Sequence, residues 1–473
     1  MNLKVPSFEA FEAALADVVT AHVPGCSALL KVERLSGGAS QETYRLTVER
    51  DGIEMPLAMR RTPGGEYLEP LPAHPGLDVE AQLMQAAKAV GVPEPEVYHV
   101  LTRADGLGDG FVMEWIDGEA LGARITRDAK FESIRPTLAK ECGRILAQIH
   151  SIDLDATELR PRLAEMTPKQ FLAQMLERYH AFGERQPMID YAGRWLEEHL
   201  PTPARLTLVH NDFRAGNFLL TPTGISAVLD WEVAHIGDPM RDLGWICTNS
   251  WRFGSALPVG GFGEYQDLFD GYSEVSGIDV DPEHVKFWEV FGSFWWAIGC
   301  LGMAEHYRSG PDQSVERPAI GRRTSECQVD CVNLLIPGAA ELVVAPGREV
   351  AEMPSQRELI QSVRDYLRDD AMVNLKGRSQ FLARVAGNSL DIVLRELALG
   401  GQHQVEELDR LQAYFGTGDD LITLRSRLAE ELREGSIPLS DERIQAHLRT
   451  TVVNQIAIDQ PNYSGFKRAQ SLR

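Results

Sequence analysis

At 473 residues the chain is longer than one hydrophobic core usually serves, so two or three domains are expected. Its composition, 44% hydrophobic and 25% charged, is that of a globular protein and excludes a disordered or membrane-embedded chain. A formal net charge of −22 argues against a nucleic-acid partner, because phosphate backbones are bound through an excess of Lys and Arg.

Pro6, Glu9, Glu12 and Asp17 interrupt the first residues, which therefore lack the continuous apolar core of a signal peptide, and a cytoplasmic protein is expected. Residues 7–21 place Phe8, Phe11, Leu15 and Val18 at helical spacing. "LLKVERLSGGASQETYRLTVER" reads as strand, glycine turn and strand, and "MPLAMRRTP" as a third strand ending at a proline. "GLDVEAQLMQAAKAVG" is a helix closed by Gly91. "PEPEVYHVLT" and "DGFVMEWIDG" supply two more strands, giving a small sheet with one helix inserted after its third strand.

Residues 120–200 are predominantly helical in pattern. Two short apolar strands follow, "RLTLVH" and "SAVLDW", each running into a polar loop and expected to lie in a hairpin-like arrangement. The most lipid-like run, "VKFWEVFGSFWWAIGCLGMAEHY", is bracketed by Lys286, Glu289, Glu305 and His306. Its uncharged part is shorter than the roughly 20 residues that span a bilayer, so it reads as a buried helix and no membrane partner is expected. Cys327 and Cys331 have the spacing of one helical face rather than of a zinc knuckle. A Pro/Gly-containing linker precedes the Ser355/Glu358 capping-box pattern, after which amphipathic helices run to the end.

Phosphoryl transfer from a nucleotide needs a carboxylate to orient the acceptor hydroxyl, oxygen ligands for Mg²⁺, and donors that cover and hold the phosphates. In "LVHNDFRAGN" Asp212 can take the first role, and Asn217 together with the strand-ending Asp230 of "AVLDWE" can take the second. Capping of loop turns is the other reading of these Asp and Asn residues. Gly37 and Gly38, with Ser40 and Gln41, can form a phosphate-covering loop, although a Gly-Gly hairpin turn explains the same residues. Arg60 can bridge phosphates with Glu80 fixing its position; a surface ion pair, or none, is the alternative. Asp238 and Asp242 of "GDPMRDLGW" read as capping and loop-bracing residues, one of them holding the Asp212 loop through its backbone or His210.

"HNDFRAGN" and "VLDWEVAHIGDPMRDLGW", supported by "LSGGASQETY" and "VMEWIDG", resemble the aminoglycoside phosphotransferase family over about residues 25–335. The closest form is the branch whose kinase-like domain also occurs fused to certain acyl-CoA dehydrogenases. The resemblance implies an α+β, protein-kinase-like two-lobed fold, with a small antiparallel-sheet N-lobe and a mostly helical C-lobe, followed here by an all-α domain. Its implied divisions are an N-lobe at 1–117, a C-lobe at 118–340, a linker at 341–354 and a helical domain at 355–473, the last resembling a bacterial domain of unknown function. It further implies that Asp212 is the catalytic carboxylate, that Asn217 and Asp230 bind the metal, and that Gly37, Gly38 and Ser40 cover the phosphates. Glu80 would pair with the basic residue of the third strand, Arg60 rather than Arg61; Met113, Glu114 and Trp115 would meet the adenine, and Arg214 would lie near the transferred phosphate.

Two positions depart from the family pattern: arginine at 60 where lysine is usual, and Asn211 where glycine is usual, a position at which positive φ suits asparagine less. The implied cofactors are ATP or GTP with Mg²⁺. The implied acceptor is a small-molecule hydroxyl, preferentially a hydroxy acid or hydroxyacyl-CoA. An inactive nucleotide-binding module and an antibiotic phosphotransferase are the alternatives, and a protein kinase is disfavoured by the absence of an activation-loop pattern ending in A-P-E. The C-terminal helices are expected to pack on the kinase part or to form a homo-oligomer contact.

Overall fold

The computed structural model describes residues 8–35, 41–68, 75–183, 185–310, 312–345 and 354–472. The chain forms two compact units, one of Met1–Thr167, Thr202–Cys247 and Trp251–Trp288, the other of Pro168–Pro201, Thr248–Ser250 and Glu289–Arg473. The helix Pro187–Glu198 groups with the C-terminal helices because its buried Asp190 is ion-paired to Arg433 of the helix Leu421–Glu434. Of the expected linker, residues 346–353 lie outside the described residues.

The first unit opens with the helix Phe8–His22, followed by β1 (Cys26–Arg34), β2 (Glu42–Arg50), β3 (Ile53–Arg61), β4 (Val97–Val100) and β5 (Gly110–Glu114). They form one antiparallel sheet in the order β1-β2-β3-β5-β4, with the helix Leu77–Ala89 between β3 and β4, as the sequence pattern predicts. Strand alternation sets the core: Tyr44, Leu46 and Val48 of β2 face Phe11, Leu15, Val18 and Val19 of the first helix. Phe8, on the same predicted stripe, is exposed.

That alternation also separates two adjacent arginines. Arg61 turns into the core side, with its guanidinium 4.1 Å from the Phe11 ring and its Nε donating to Glu42 Oε2 at 2.8 Å. Arg60 points to the opposite face of the sheet.

The two short apolar strands expected to pair with each other do not. β6 (Thr207–Val209) pairs antiparallel with β9 (His235–Gly237), while β7 (Phe218–Thr221) pairs antiparallel with β8 (Gly224–Val228). The tight connection at Thr221–Gly224 gives β8 a partner adjacent in sequence, which short-range pairing favours over β6. The expected meeting of the two loops survives, because Leu229 N donates to Asn217 O at 2.7 Å and brings the end of β8 beside the start of β7.

Among its described residues the second unit has helices and no strand, and its helix Thr324–Leu335 buries both Cys327 and Cys331 as free thiols. The apolar run lies in the helix Pro282–Ser309, where Phe287, Trp288, Phe291, Phe294 and Ile298 are buried. No helix among the described residues is long and apolar enough to cross a membrane. Ser355 and Glu358 form the predicted capping box, Ser355 N donating to Glu358 Oε2 at 2.7 Å.

In the first unit the helices Arg135–Ile149 and Tyr265–Ser276 approach through two glycines. A Cβ on Gly143 would sit 2.1 Å from Leu268 O, and one on Gly271 would sit 2.0 Å from Lys140 O. Both obstructions are backbone, so neither side can rotate away. Gly143→Ala and Gly271→Ala are each expected to destabilise the protein by about 1–3 kcal/mol, the usual cost of overpacking, measured as a lowered denaturant midpoint. A midpoint equal to that of the unsubstituted chain would show that the helices can separate freely.

Candidate active site

The loop between β6 and β7 carries His210, Asn211, Asp212, Arg214 and Asn217. Its conformation is held from below by Asp242, in the first turn of the helix Met240–Cys247. Asp242 Oδ2 accepts from His210 N at 2.8 Å and from His150 Nε2 at 3.1 Å, and Oδ1 accepts from Asn211 N at 2.7 Å. Burial opposes ionisation of this carboxyl, but the donated hydrogen bonds outweigh it and hold its pKa below the ordinary carboxylate value.

Asn211 adopts φ of +66°, so the loop keeps the left-handed turn for which glycine is better suited. Its side chain supports that turn, Oδ1 accepting from Arg241 Nε at 2.9 Å and Nδ2 donating to Val233 O at 3.3 Å. Asparagine itself thus holds the positive φ at this position.

His210 links the two halves of the site. Its Nδ1 accepts from Asp212 N at 3.3 Å and its Nε2 donates to Leu229 O at 3.1 Å. Burial lowers its pKa, which matches a neutral ring with the proton on Nε2. Because Leu229 precedes Asp230, this one imidazole indexes the strand-ending aspartate to the loop.

The Asp212 carboxylate is fixed by three donors. Arg214 Nε and Trp245 Nε1 donate to Oδ1 at 2.9 and 2.7 Å, and Asn217 Nδ2 donates to Oδ2 at 2.5 Å. The Arg214 guanidinium also lies 4.1 Å from the Trp251 ring centroid, a cation–π contact that limits its swing.

Arg60 spans two carboxylates, with Nη1 3.4 Å from Glu80 Oε2 and Nη2 2.9 Å from Asp230 Oδ1. Burial works against its charge, yet Glu80 and Asp230 outweigh burial and raise its pKa above the ordinary value. Glu80 itself is pushed up to about 7 by burial, with Arg60 and Gln41 opposing the rise. Gln41, read from sequence as a phosphate donor, donates to Glu80 Oε1 at 3.0 Å. Asp230, like Asn211, has positive φ, +72°.

Asp212, Arg214 and Asn217 thus form one hydrogen-bonded group, and Arg60, Glu80 and Asp230 a second, tied together through His210 and the Leu229–Asn217 backbone bond. Met113 is buried in β5, Glu114 accepts from Glu96 N at 3.1 Å, and Trp115 donates to Asp117 Oδ1 at 2.9 Å with Arg45 over its ring. Gly37, Gly38 and Ser40 lie outside the described residues. Sequence reasoning missed Trp245 and His150. Trp245 follows Asp242 by three residues on one helix, a spacing that could have marked it as facing the same loop. Nothing local marks His150, 92 residues before Asp242.

Acyl-CoA dehydrogenase family member 10 of Mus musculus is 28% identical over 260 residues, covering 53% of this chain and 23% of that protein. Acyl-CoA dehydrogenase family member 11 of Rattus norvegicus is 26% identical over 317 residues, covering 62% of this chain and 39% of that protein. The match therefore spans well under half the length of either relative. A crystal structure from Ralstonia eutropha assigned to the aminoglycoside phosphotransferases superposes with a TM-score of 0.55 at 22% identity, over 68% of this chain and 97% of that one, and shows the kinase-like fold. The profile of a domain of unknown function (DUF6285) matches residues 373–463. The profile of the phosphotransferase enzyme family matches residues 31–278, more than half of the chain, and the chain belongs to that family.

Proposed function

We propose that this phosphotransferase moves the γ-phosphoryl group of ATP or GTP to a hydroxyl of a small molecule, with Asp212 as the catalytic carboxylate. The observation that carries the reading is the fixed, partly unsatisfied Asp212 carboxylate beside a metal-suited pair. Oδ1 receives two hydrogen bonds and Oδ2 only one, from Asn217. A carboxylate has about four lone-pair positions, so Oδ2 retains one that can accept the acceptor's O–H. Asp212 then orients the hydroxyl oxygen and receives its proton as the bond to phosphorus forms and the bond to the leaving nucleotide oxygen breaks.

The donor set fits Mg²⁺. Asn217 commits its amide nitrogen to Asp212, leaving the amide oxygen as the ligand atom, and Asp230 offers a carboxylate; both are hard oxygen donors. Bound there, Mg²⁺ would supply positive charge to the nucleotide phosphates. Arg60 and Asp230, paired at 2.9 Å, hold a phosphate-binding cation and a metal-binding anion against each other. Nucleotide and metal together would exchange that ion pair for two matched ones, with Glu80 keeping a hold on Arg60. Arginine can meet phosphate through two N–H groups, so its presence in place of lysine suits the role. Arg214, anchored by Asp212 and Trp251, would steady the transferred group.

For the acceptor we favour a hydroxy acid or hydroxyacyl-CoA. Support comes from the two mammalian relatives, whose names place their kinase-like region in proteins of acyl-CoA metabolism.

Turnover of nucleotide by the full chain with Mg²⁺, over hydroxyacyl-CoAs, hydroxy acids, sugars and aminoglycosides, tests the reading. Asp212→Ala is expected to lose at least about a hundredfold in kcat while retaining nucleotide binding; equal turnover would remove Asp212 from the mechanism. Asp230→Ala is expected to abolish metal-dependent nucleotide binding in calorimetry, and an unchanged Mg²⁺ titration would exclude it as a ligand. Trp245→Phe removes one donor from Oδ1 and leaves the ring. It should lower kcat by about tenfold with little change in acceptor KM, the signature of a positioning residue. A rise in KM alone would place Trp245 in substrate binding instead.

A further inference from the structure

The second unit contains a cavity of about 590 Å³ that the phosphoryl-transfer reading does not use. Its wall includes His403 of the helix Gly377–Phe415, His447 of the helix Glu442–Asp459 and Thr324, first residue of the helix Thr324–Leu335. His403 is 2% exposed and His447 6%, and among the described residues neither His403 nitrogen, nor His447 Nδ1, nor Thr324 Oγ1 has a hydrogen-bond partner. Natural interiors satisfy buried polar atoms almost everywhere, and a site serving packing alone would carry an apolar side chain. Four partnerless polar atoms on one cavity wall mark a place where something polar belongs.

The chemistry of the remaining wall selects what that is. Among the described residues each of its carboxylates is already engaged by a donor. Glu407, one helical turn after His403, receives Arg425 Nε at 2.7 Å and also its Nη2. Asp459 receives Arg322 Nε at 2.6 Å and Gln455 Nε2 at 3.0 Å, and Glu396 receives Arg322 Nη2. Among the described residues donors are left over: the imidazole N–H groups, the Thr324 hydroxyl, and Nη1 of both Arg322 and Arg425. The wall as a whole carries four arginines against three carboxylates, in a chain whose formal charge is −22.

We propose that this cavity binds a small molecule through an oxyanion, a carboxylate or phosphate group seated against His403, His447 and Thr324. Burial lowers the pKa of His403 and takes that of His447 to about 4, so both rings are neutral at pH 7. The charged groups around them are Glu406, Glu407, Arg410 and Arg425. An anion seated there favours the protonated ring; a proton taken from the buffer turns an acceptor nitrogen into a second donor, so binding takes up protons and weakens as pH rises.

The proposal is independent of the active site and is tested on the full chain by calorimetry with inorganic phosphate, succinate and glycerol, in buffers of different ionisation enthalpy. Saturable binding of phosphate or succinate with proton uptake, and none of glycerol, is expected; whichever anion binds more tightly identifies the source of the oxyanion. His403→Leu should weaken that binding at least tenfold, while the empty variant melts at or above the temperature of the unsubstituted chain because a partnerless buried group has been removed. If His403→Leu does not fold, His447→Gln serves, with the same loss of affinity expected. Nitrogen NMR of the two imidazoles should move on anion addition. No saturable binding of either anion, glycerol binding equally well, or undiminished affinity in the folded variants would overturn the proposal.

Discussion

Asp242 has no solvent contact, yet its carboxyl ionises more readily than an ordinary one. That is possible only because two backbone N–H groups and the His150 imidazole point at it, replacing the water it has lost. The same three bonds dictate the loop above. His210 N and Asn211 N both reach this one carboxylate, with Asn211 at positive φ, and Asp212 leaves the turn from there. A non-glycine residue at such φ carries a backbone cost of about 1–3 kcal/mol, and the Asn211 side-chain bonds to Arg241 and Val233 help offset it. His210 then passes the constraint to Leu229, and so to Asp230. The geometry of both aspartates descends from a residue that touches neither.

The carboxylates of this region differ in how firmly they are satisfied, and the difference tracks their proposed work. Asp242 takes two backbone donors at 2.7 and 2.8 Å and stays ionised. Glu80, equally buried, has one amide donor at 3.0 Å and a guanidinium at 3.4 Å, and its pKa climbs to about 7. Such a loose hold suits Glu80 to stay with an arginine that exchanges its other partner, Asp230. On the proposed reading the firmly held Asp242 is structural, and the loosely held Glu80 with Arg60 is where nucleotide enters.

Much of this was legible because the relevant residues are close in sequence. Asp212, Arg214 and Asn217 occupy one loop, and the strand-ending Asp230 announces itself by the apolar run before it. The five-strand sheet and its inserted helix follow from alternation and from Gly91 as a helix stop. What could not be read depends on three-dimensional choice. Strands of three to five residues carry too little pattern to specify partners, so β6 joined β9 and β8 joined β7. Arg60 and Arg61 are told apart only by which face of β3 each takes. His150 reaches Asp242 from just past the end of the helix Arg135–Ile149, with no local signal.

Buried histidines show why the same residue type leads to opposite readings. His150 has Tyr272 on one nitrogen and Asp242 on the other, and His210 has Asp212 N and Leu229 O. Both rings are fully used by the protein itself, so each is explained by the geometry it holds. His403 is as deeply buried and has neither nitrogen engaged among the described residues, although a glutamate lies one turn along the same helix. That glutamate is occupied by Arg425 on both oxygens, which withholds from His403 the partner that would have made it structural. A packing core would gain by pairing them or by replacing the ring with an apolar residue. An arrangement that keeps donor and acceptor apart, each facing a cavity, fits a chain that folds with one partner still to come.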